Sequence, residues 1–102
     1  MSYKKYVALL TQVGSNPPTA VILENTLGGI PVWTYSTNGT YIATLSGAFT
    51  SNKTALIISS NDGETAAAKR TSADAITVAT YLAGVGTDDL LNGNTFEIIV
   101  YN

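Results

Sequence analysis

The chain has 102 residues, of which 45% are hydrophobic and only 12% are charged, and its formal net charge is −2. This length predicts one domain over residues 1–102, because a chain of this size buries roughly two-thirds of the surface that it exposes when unfolded. The acidic balance speaks against nucleic-acid binding, which depends on basic side chains that neutralise phosphates, and the basic pairs Lys4-Lys5 and Lys69-Arg70 are more simply solvated charges at strand edges.

The N-terminal segment predicts two strands. Apolar side chains fall on both faces of residues 3–13, a pattern typical of a strand that is covered on two sides, by the core and by a second layer or a neighbouring subunit. Pro17 and Pro18 cannot donate to a ladder and predict a turn. Residues 19–26 then form a second strand.

Residues 30–60 predict three consecutive strands built around a hairpin. The pair Asn38-Gly39 favours a type I′ turn, since both residues tolerate the positive φ that this turn requires. In residues 40–49, Tyr41 and Ala43 share one face, which we expect to meet the core. The opposite face carries mostly hydroxyl groups. For residues 30–35, before the turn, either face could be buried.

Two further strands are predicted, one over residues 64–70 and one after the turn at residues 71–74, in which Ile76, Val78, Thr80 and Leu82 share a face. The first contains three consecutive alanines, for which helix propensity competes, but its brevity and the turn that follows favour a hairpin. In residues 87–91, Thr87 as the N-cap and two aspartates near the positive end of the dipole predict one short helical turn. A hydrophobic strand over residues 95–101 ends the chain.

About eight short strands with regular turn signals and little helix predict an all-β, antiparallel β-sandwich, jelly-roll-like rather than a small barrel. The strand order stays open at this stage. The shortage of charges and the two-sided apolar strands favour a homo-oligomer, because unpaired strand edges and exposed apolar faces recruit other chains.

The sequence lacks the side chains of most active sites. It has neither histidine nor cysteine, which excludes the familiar catalytic triads and most transition-metal sites. The pair Asp62 and Glu64 and the pair Asp88 and Asp89 lack the spacing of a calcium loop, and a small sandwich leaves little room for the two carboxyl groups of a glycosidase. We therefore expect no catalytic residue, no metal site and no cofactor.

Targeting signals are also lacking. Residues 1–13 contain only about eight consecutive apolar-leaning residues without a small-residue cleavage site, and no run approaches the length of a membrane span. We expect a protein that is made in the cytoplasm and does not insert into a membrane.

Trp33 and Tyr35 are the candidate ligand-binding residues, with Tyr81 and Tyr101 as further aromatic candidates. Exposed aromatic faces on a sandwich stack sugar rings in many carbohydrate-binding modules. The alternative is that Trp33 lies in the core or in a subunit interface, as is usual for an aromatic residue inside a strand.

Several segments carry a resemblance that covers most of the chain. They are Tyr3-Lys4-Lys5-Tyr6-Val7-Ala8-Leu9-Leu10-Thr11-Gln12, Val21-Ile22-Leu23-Glu24-Asn25-Thr26-Leu27-Gly28, residues 39–54, Asp88-Asp89-Leu90-Leu91 and Phe96-Glu97-Ile98-Ile99-Val100-Tyr101. In overall pattern they resemble small uncharacterised β-sandwich proteins of bacteriophages and marine metagenomes.

The resemblance implies a structural or adhesion component of a phage particle, associated with its tail or head, that forms a symmetric homo-oligomer with a trimer as the expected state. It implies synthesis in the host cytoplasm and then residence in the virion. The expected partners are further copies of the chain, other virion proteins or a surface glycan. No catalytic residue is carried over. The alternative function is a monomeric carbohydrate-binding module that uses Trp33 and Tyr35.

Overall fold

The computed structural model describes residues 2–102, which form nine strands in two packed antiparallel sheets. The strands are β1 (Tyr3–Thr11), β2 (Thr19–Asn25), β3 (Val32–Thr37), β4 (Thr40–Thr44), β5 (Thr54–Ile58), β6 (Glu64–Ser72), β7 (Ala75–Leu82), β8 (Val85–Gly86) and β9 (Asn92–Tyr101). The first sheet has the order β2-β1-β9-β5, and the second has the order β3-β4-β7-β6, with the short β8 also paired to β7. The predicted all-β sandwich is confirmed.

The core lies between the two sheets and is built from alternate residues of the central strands β1, β9, β4 and β7. The buried apolar side chains of these strands are Tyr6, Ala8, Leu10, Phe96, Ile98, Val100, Tyr41, Ala43, Ile76 and Val78. Leu27, Phe49 and Leu91 close the core from the loops. The period-two alternation therefore predicted the buried face of β4, because in a strand only every second side chain faces the opposite sheet.

The β3–β4 hairpin is confirmed, but the predicted type I′ turn is wrong. Gly39 has a φ of 72°, whereas Asn38 is not among the described residues with positive φ. The strand pairing shifts register between Tyr35 and Thr37. Such an irregularity increases the local right-handed twist of the strand, which a type I′ turn would otherwise match.

The hairpin tip packs tightly on β7 and on the end of β8. Gly39 accepts a hydrogen bond from the backbone N–H of Thr80 at 2.7 Å. A Cβ atom at Gly39 would lie 2.5 Å from the Thr80 carbonyl oxygen and 2.5 Å from the Thr87 nitrogen. Glycine is thus required here both by the backbone conformation and by the close approach of neighbouring backbone.

The short helical turn predicted over residues 87–91 is wrong. The Thr87 hydroxyl donates to the Val85 carbonyl at 2.7 Å instead of capping a helix, and Asp89 has a φ of 68°, outside the helical region. The Asp88 carboxylate accepts from the Gly39 N–H at 2.8 Å, so a tertiary contact replaces the local cap.

Residues 64–70 lie in a strand, as predicted, although the strand extends to Ser72. The strand predicted over residues 40–49 is shorter, because β4 ends at Thr44. Beyond it, the carbonyl and the carboxylate of Asp74 accept from the N–H groups of Leu45 and Gly47, which turns the chain out of the sheet. In residues 2–102 no helix is long and apolar enough to cross a membrane.

Substitution of Gly39 by alanine tests the packing of the hairpin tip. We expect Gly39→Ala to lower the free energy of unfolding by at least about 2 kcal/mol more than Gly63→Ala, because the added methyl group collides with backbone that cannot move aside. Gly63 is the matched control, since its φ is 77° and a Cβ there meets nothing within 4 Å. Urea unfolding of both variants measures the difference, and equal losses would contradict the packing.

Candidate functional site

The outward side of the first sheet is apolar across all four strands. We call this surface the outer apolar face; its members are Val7, Leu9, Val21, Leu23, Ala55, Ile57 and Ile99. Val21 is 62% exposed, Leu23 61% and Ile57 54%. The face follows from alternation on strands whose inward residues are already in the core.

Few charges interrupt the outer apolar face. Lys5 and Glu97 form an ion pair across β1 and β9, with 3.6 Å between Nζ and Oε1. Within residues 2–102 it is the only salt bridge. Both side chains are about three-quarters covered, at 28% and 26% exposure. The exposed Glu24 lies opposite Val7 on the edge strand β2. The face therefore carries one internally neutralised pair and one further acid.

The second sheet has a groove on β6 and β7, which we call the outer groove. Its volume is about 260 Å³, and its lining includes Ala67, Lys69, Thr77, Ala79 and Tyr81. Small side chains on neighbouring strands leave this depression, because alanine and threonine do not fill the space that larger residues would occupy. Lys69 is the charged residue of its lining.

Trp33 and Tyr35 both lie half-buried on the core side of β3. The indole of Trp33 meets the ring of Phe96 edge-on, with 5.5 Å between centroids, and its Nε1–H makes a long hydrogen bond of 3.4 Å to the Tyr6 hydroxyl. Trp33 of the second sheet thus contacts Phe96 and Tyr6 of the first sheet. The ligand-binding role of Trp33 and Tyr35 stays a prediction.

Asp88 is the centre of a hydrogen-bonded cluster at one end of the sandwich. Its Oδ2 accepts from the Tyr35 hydroxyl at 2.7 Å, and its Oδ1 accepts from the Gly39 N–H at 2.8 Å. The Tyr41 hydroxyl lies 2.9 Å from the same Oδ1 and 2.8 Å from the Gln12 Oε1, so its single hydrogen donates to one of two acceptors at a time. We call these residues the Asp88 cluster.

Gln12 connects the Asp88 cluster to the first sheet. Its Nε2 donates to the carbonyls of Gly14 and Asn16 at 2.7 and 3.1 Å, and its Oε1 accepts from the Asp89 N–H at 2.8 Å. The Gln12 side chain is buried, and every buried side-chain nitrogen or oxygen in residues 2–102 has a partner. Sequence reasoning missed this residue, although a glutamine that ends an apolar strand is a signal for a buried polar contact.

The cluster shifts the acidities of its members. Desolvation raises the pKa of Asp88, whereas the hydrogen bonds from Gly39, Tyr35 and Tyr41 lower it. Together the three hydrogen bonds outweigh desolvation, so the pKa lies below its ordinary value of 3.8. Burial is the main cause of a raised pKa of the Tyr41 phenol, and the Asp88 carboxylate adds a smaller increase. For Tyr35 the hydrogen bond to Asp88 is the main cause of a raised pKa. The arrangement therefore holds a carboxylate and two neutral phenols.

The Asp88 cluster has the geometry of a structural junction. Its hydrogen bonds join the β3–β4 hairpin, Asp88 and Gln12 to one another. Within the described part of the chain, no three acidic side chains are grouped so that they could hold a metal ion.

Asp88→Asn tests the charge of the cluster. At neutral pH we expect the variant to lose about 1 kcal/mol of unfolding free energy, since hydrogen bonds to a partly solvated charged acceptor are lost. Because the pKa of Asp88 is lower in the folded than in the unfolded state, the carboxylate's contribution is complete above its ordinary value of 3.8 and disappears as the pH falls through the folded-state pKa.

Urea unfolding of wild type and Asp88→Asn from about pH 6 to about pH 2 measures this loss. The difference between the two proteins should shrink in acid. Asp62→Asn, which removes the same charge outside the cluster, is the control for net charge. A difference between wild type and Asp88→Asn that stays constant down to the lowest pH contradicts the role of the carboxylate.

A scan against protein-family models finds no match to this chain, and searches of curated proteins and of solved structures find none either.

Proposed function

We propose that the chain is a non-catalytic structural or adhesion subunit of a phage particle and that it acts as a symmetric homo-oligomer, with a trimer as the expected state. The outer apolar face is the observation that carries this proposal. The resemblance of the sequence to small phage proteins supplies its biological setting.

An uncovered face of this kind is costly in water. Removing apolar surface from water stabilises a complex by roughly 25 cal/mol for each Å², and contiguous apolar patches on soluble proteins commonly mark interaction sites. Val21, Leu23 and Ile57 are each more than half exposed, and they flank the partly covered residues of β1 and β9. A flat partner that spans all four strands would bury the whole set.

A second copy of the chain offers such a partner. A cyclic trimer needs two different surfaces on each subunit, because each one contacts its two neighbours through unlike patches. The outer apolar face is one of these two surfaces.

Solution mass measured by light scattering on a sizing column tests the assembly. We expect wild type to elute with a mass near three times the 10.7 kDa of one chain. The double variant Val21→Lys/Leu23→Lys should dissociate into monomers, because two charges would be buried in an apolar contact. Val85→Lys is the matched control, since Val85 is 65% exposed but lies on β8, outside the outer apolar face and the outer groove. A monomeric wild type at micromolar concentration contradicts the proposal.

Particles of a phage that encodes the chain provide the test of the biological setting. Quantitative mass spectrometry should detect the chain in purified virions, in a copy number that is divisible by three. Its absence from them contradicts the virion role and leaves the assembly itself untouched.

A further inference from the structure

A pocket opens at the end of the sandwich where β1 begins and β9 ends, the end opposite to Gln12. We call it the end pocket. Its volume is about 330 Å³, within the range of pockets that bind small molecules. The apolar part of its lining includes Leu27 and Val100, which are both buried, and its polar part includes Lys4, Lys53 and Tyr101.

The end pocket is positively charged. Lys4 and Lys53 are two of the five basic residues of the chain, and no acidic side chain lines the pocket. Neither lysine forms a salt bridge to another of the described residues 2–102. Asp74, in the turn between β6 and β7, accepts from the N–H of the lining residue Gly47 at 2.7 Å. Two ammonium groups on one pocket favour an anionic occupant.

The remaining lining indicates what kind of anion fits. Ser46 and Thr50 contribute hydroxyl groups, and the buried Leu27 and Val100 form an apolar floor. Hydroxyl groups pair with the hydroxyls of a sugar, and apolar side chains cover the apolar side of a sugar ring. An apolar floor with a few polar groups is the usual design of a small-molecule site.

We propose that the end pocket binds a small carboxylate-bearing ligand, the chemical class that includes acidic monosaccharides. Lys4 and Lys53 bind the carboxylate, and the ring of the ligand lies against Leu27 and Val100. This inference goes beyond the assembly role and does not depend on it, because the pocket is formed within one chain and lies outside the outer apolar face.

Isotope-labelled wild type titrated with sodium glucuronate, sodium acetate and glucose, and followed by NMR, tests the proposal. We expect glucuronate to shift the resonances of Lys4, Lys53 and Tyr101. The double variant Lys4→Gln/Lys53→Gln should bind glucuronate about tenfold or more weakly, since hydrogen bonds to charged groups are lost. Asp62→Asn is the control, because it changes one charge at a position outside the end pocket, the outer groove and the outer apolar face.

The three probes separate the possible ligands. Glucuronate that binds more tightly than acetate and glucose supports an acidic sugar as the ligand, and acetate that binds equally well supports a site for the carboxylate alone. Glucose that binds as tightly as glucuronate overturns the proposal, and so does a lysine double variant that binds glucuronate like wild type. Light scattering on the same samples reports the oligomer separately, so failure of the pocket is distinguishable from failure of the assembly.

Discussion

The carboxylate of Asp88 is the group on which one end of this sandwich depends. It accepts hydrogen bonds from the tip of the β3–β4 hairpin and from two tyrosines of the second sheet. Through Tyr41 it is also linked to Gln12, whose side chain belongs to the end of the first sheet. Buried polar groups without partners are expensive, so this end closes only when all members of the cluster are in place together. At this end of the core, the hydrogen bond between Tyr41 and Gln12 joins the second sheet to the first.

The features that we propose to contact partners lie on the outside of the molecule. Trp33 and Tyr35 take part in contacts between and within the sheets, and the acidic residues beside them are already satisfied. Three features remain open to a partner: the outer apolar face on the first sheet, the outer groove on the second, and the end pocket at the opposite end of β1. The first two are broad and nearly uncharged, as in contacts between subunits. The third is small and cationic, as in a ligand site.

The sequence predicted the features that depend on neighbouring residues. Alternation in β4 placed Tyr41 and Ala43 in the core, because the pleat of a strand is a local property. The helical turn failed for the complementary reason. Thr87 and Asp88 carry a local capping signal, but Asp88 finds stronger partners 47 to 53 residues away in the chain, in the β3–β4 hairpin. Local propensity is a weak guide where such a tertiary contact competes.

Other features could not be predicted because they arise only from the assembled sheets. The strand order decides that β1 and β9 lie side by side in the centre of one sheet, and no residue pattern specifies that order. The second apolar side of these strands was predicted, and the structure shows that it forms one continuous face with β2 and β5. Lys4 and Lys53 are distant in the sequence and share a pocket only because the β9 end and the loop before β5 meet there, where the Tyr101 N–H donates to the Lys53 carbonyl at 2.8 Å.

The central claim is that further copies of the chain cover the outer apolar face. Relaxation of methyl resonances by a soluble paramagnetic agent tests it most directly, with Val21 and Val85 as a matched pair at 62% and 65% exposure in the single chain. The account predicts that the Val21 methyls are protected in the wild-type protein while the Val85 methyls relax strongly. Equal relaxation at the two valines would contradict it.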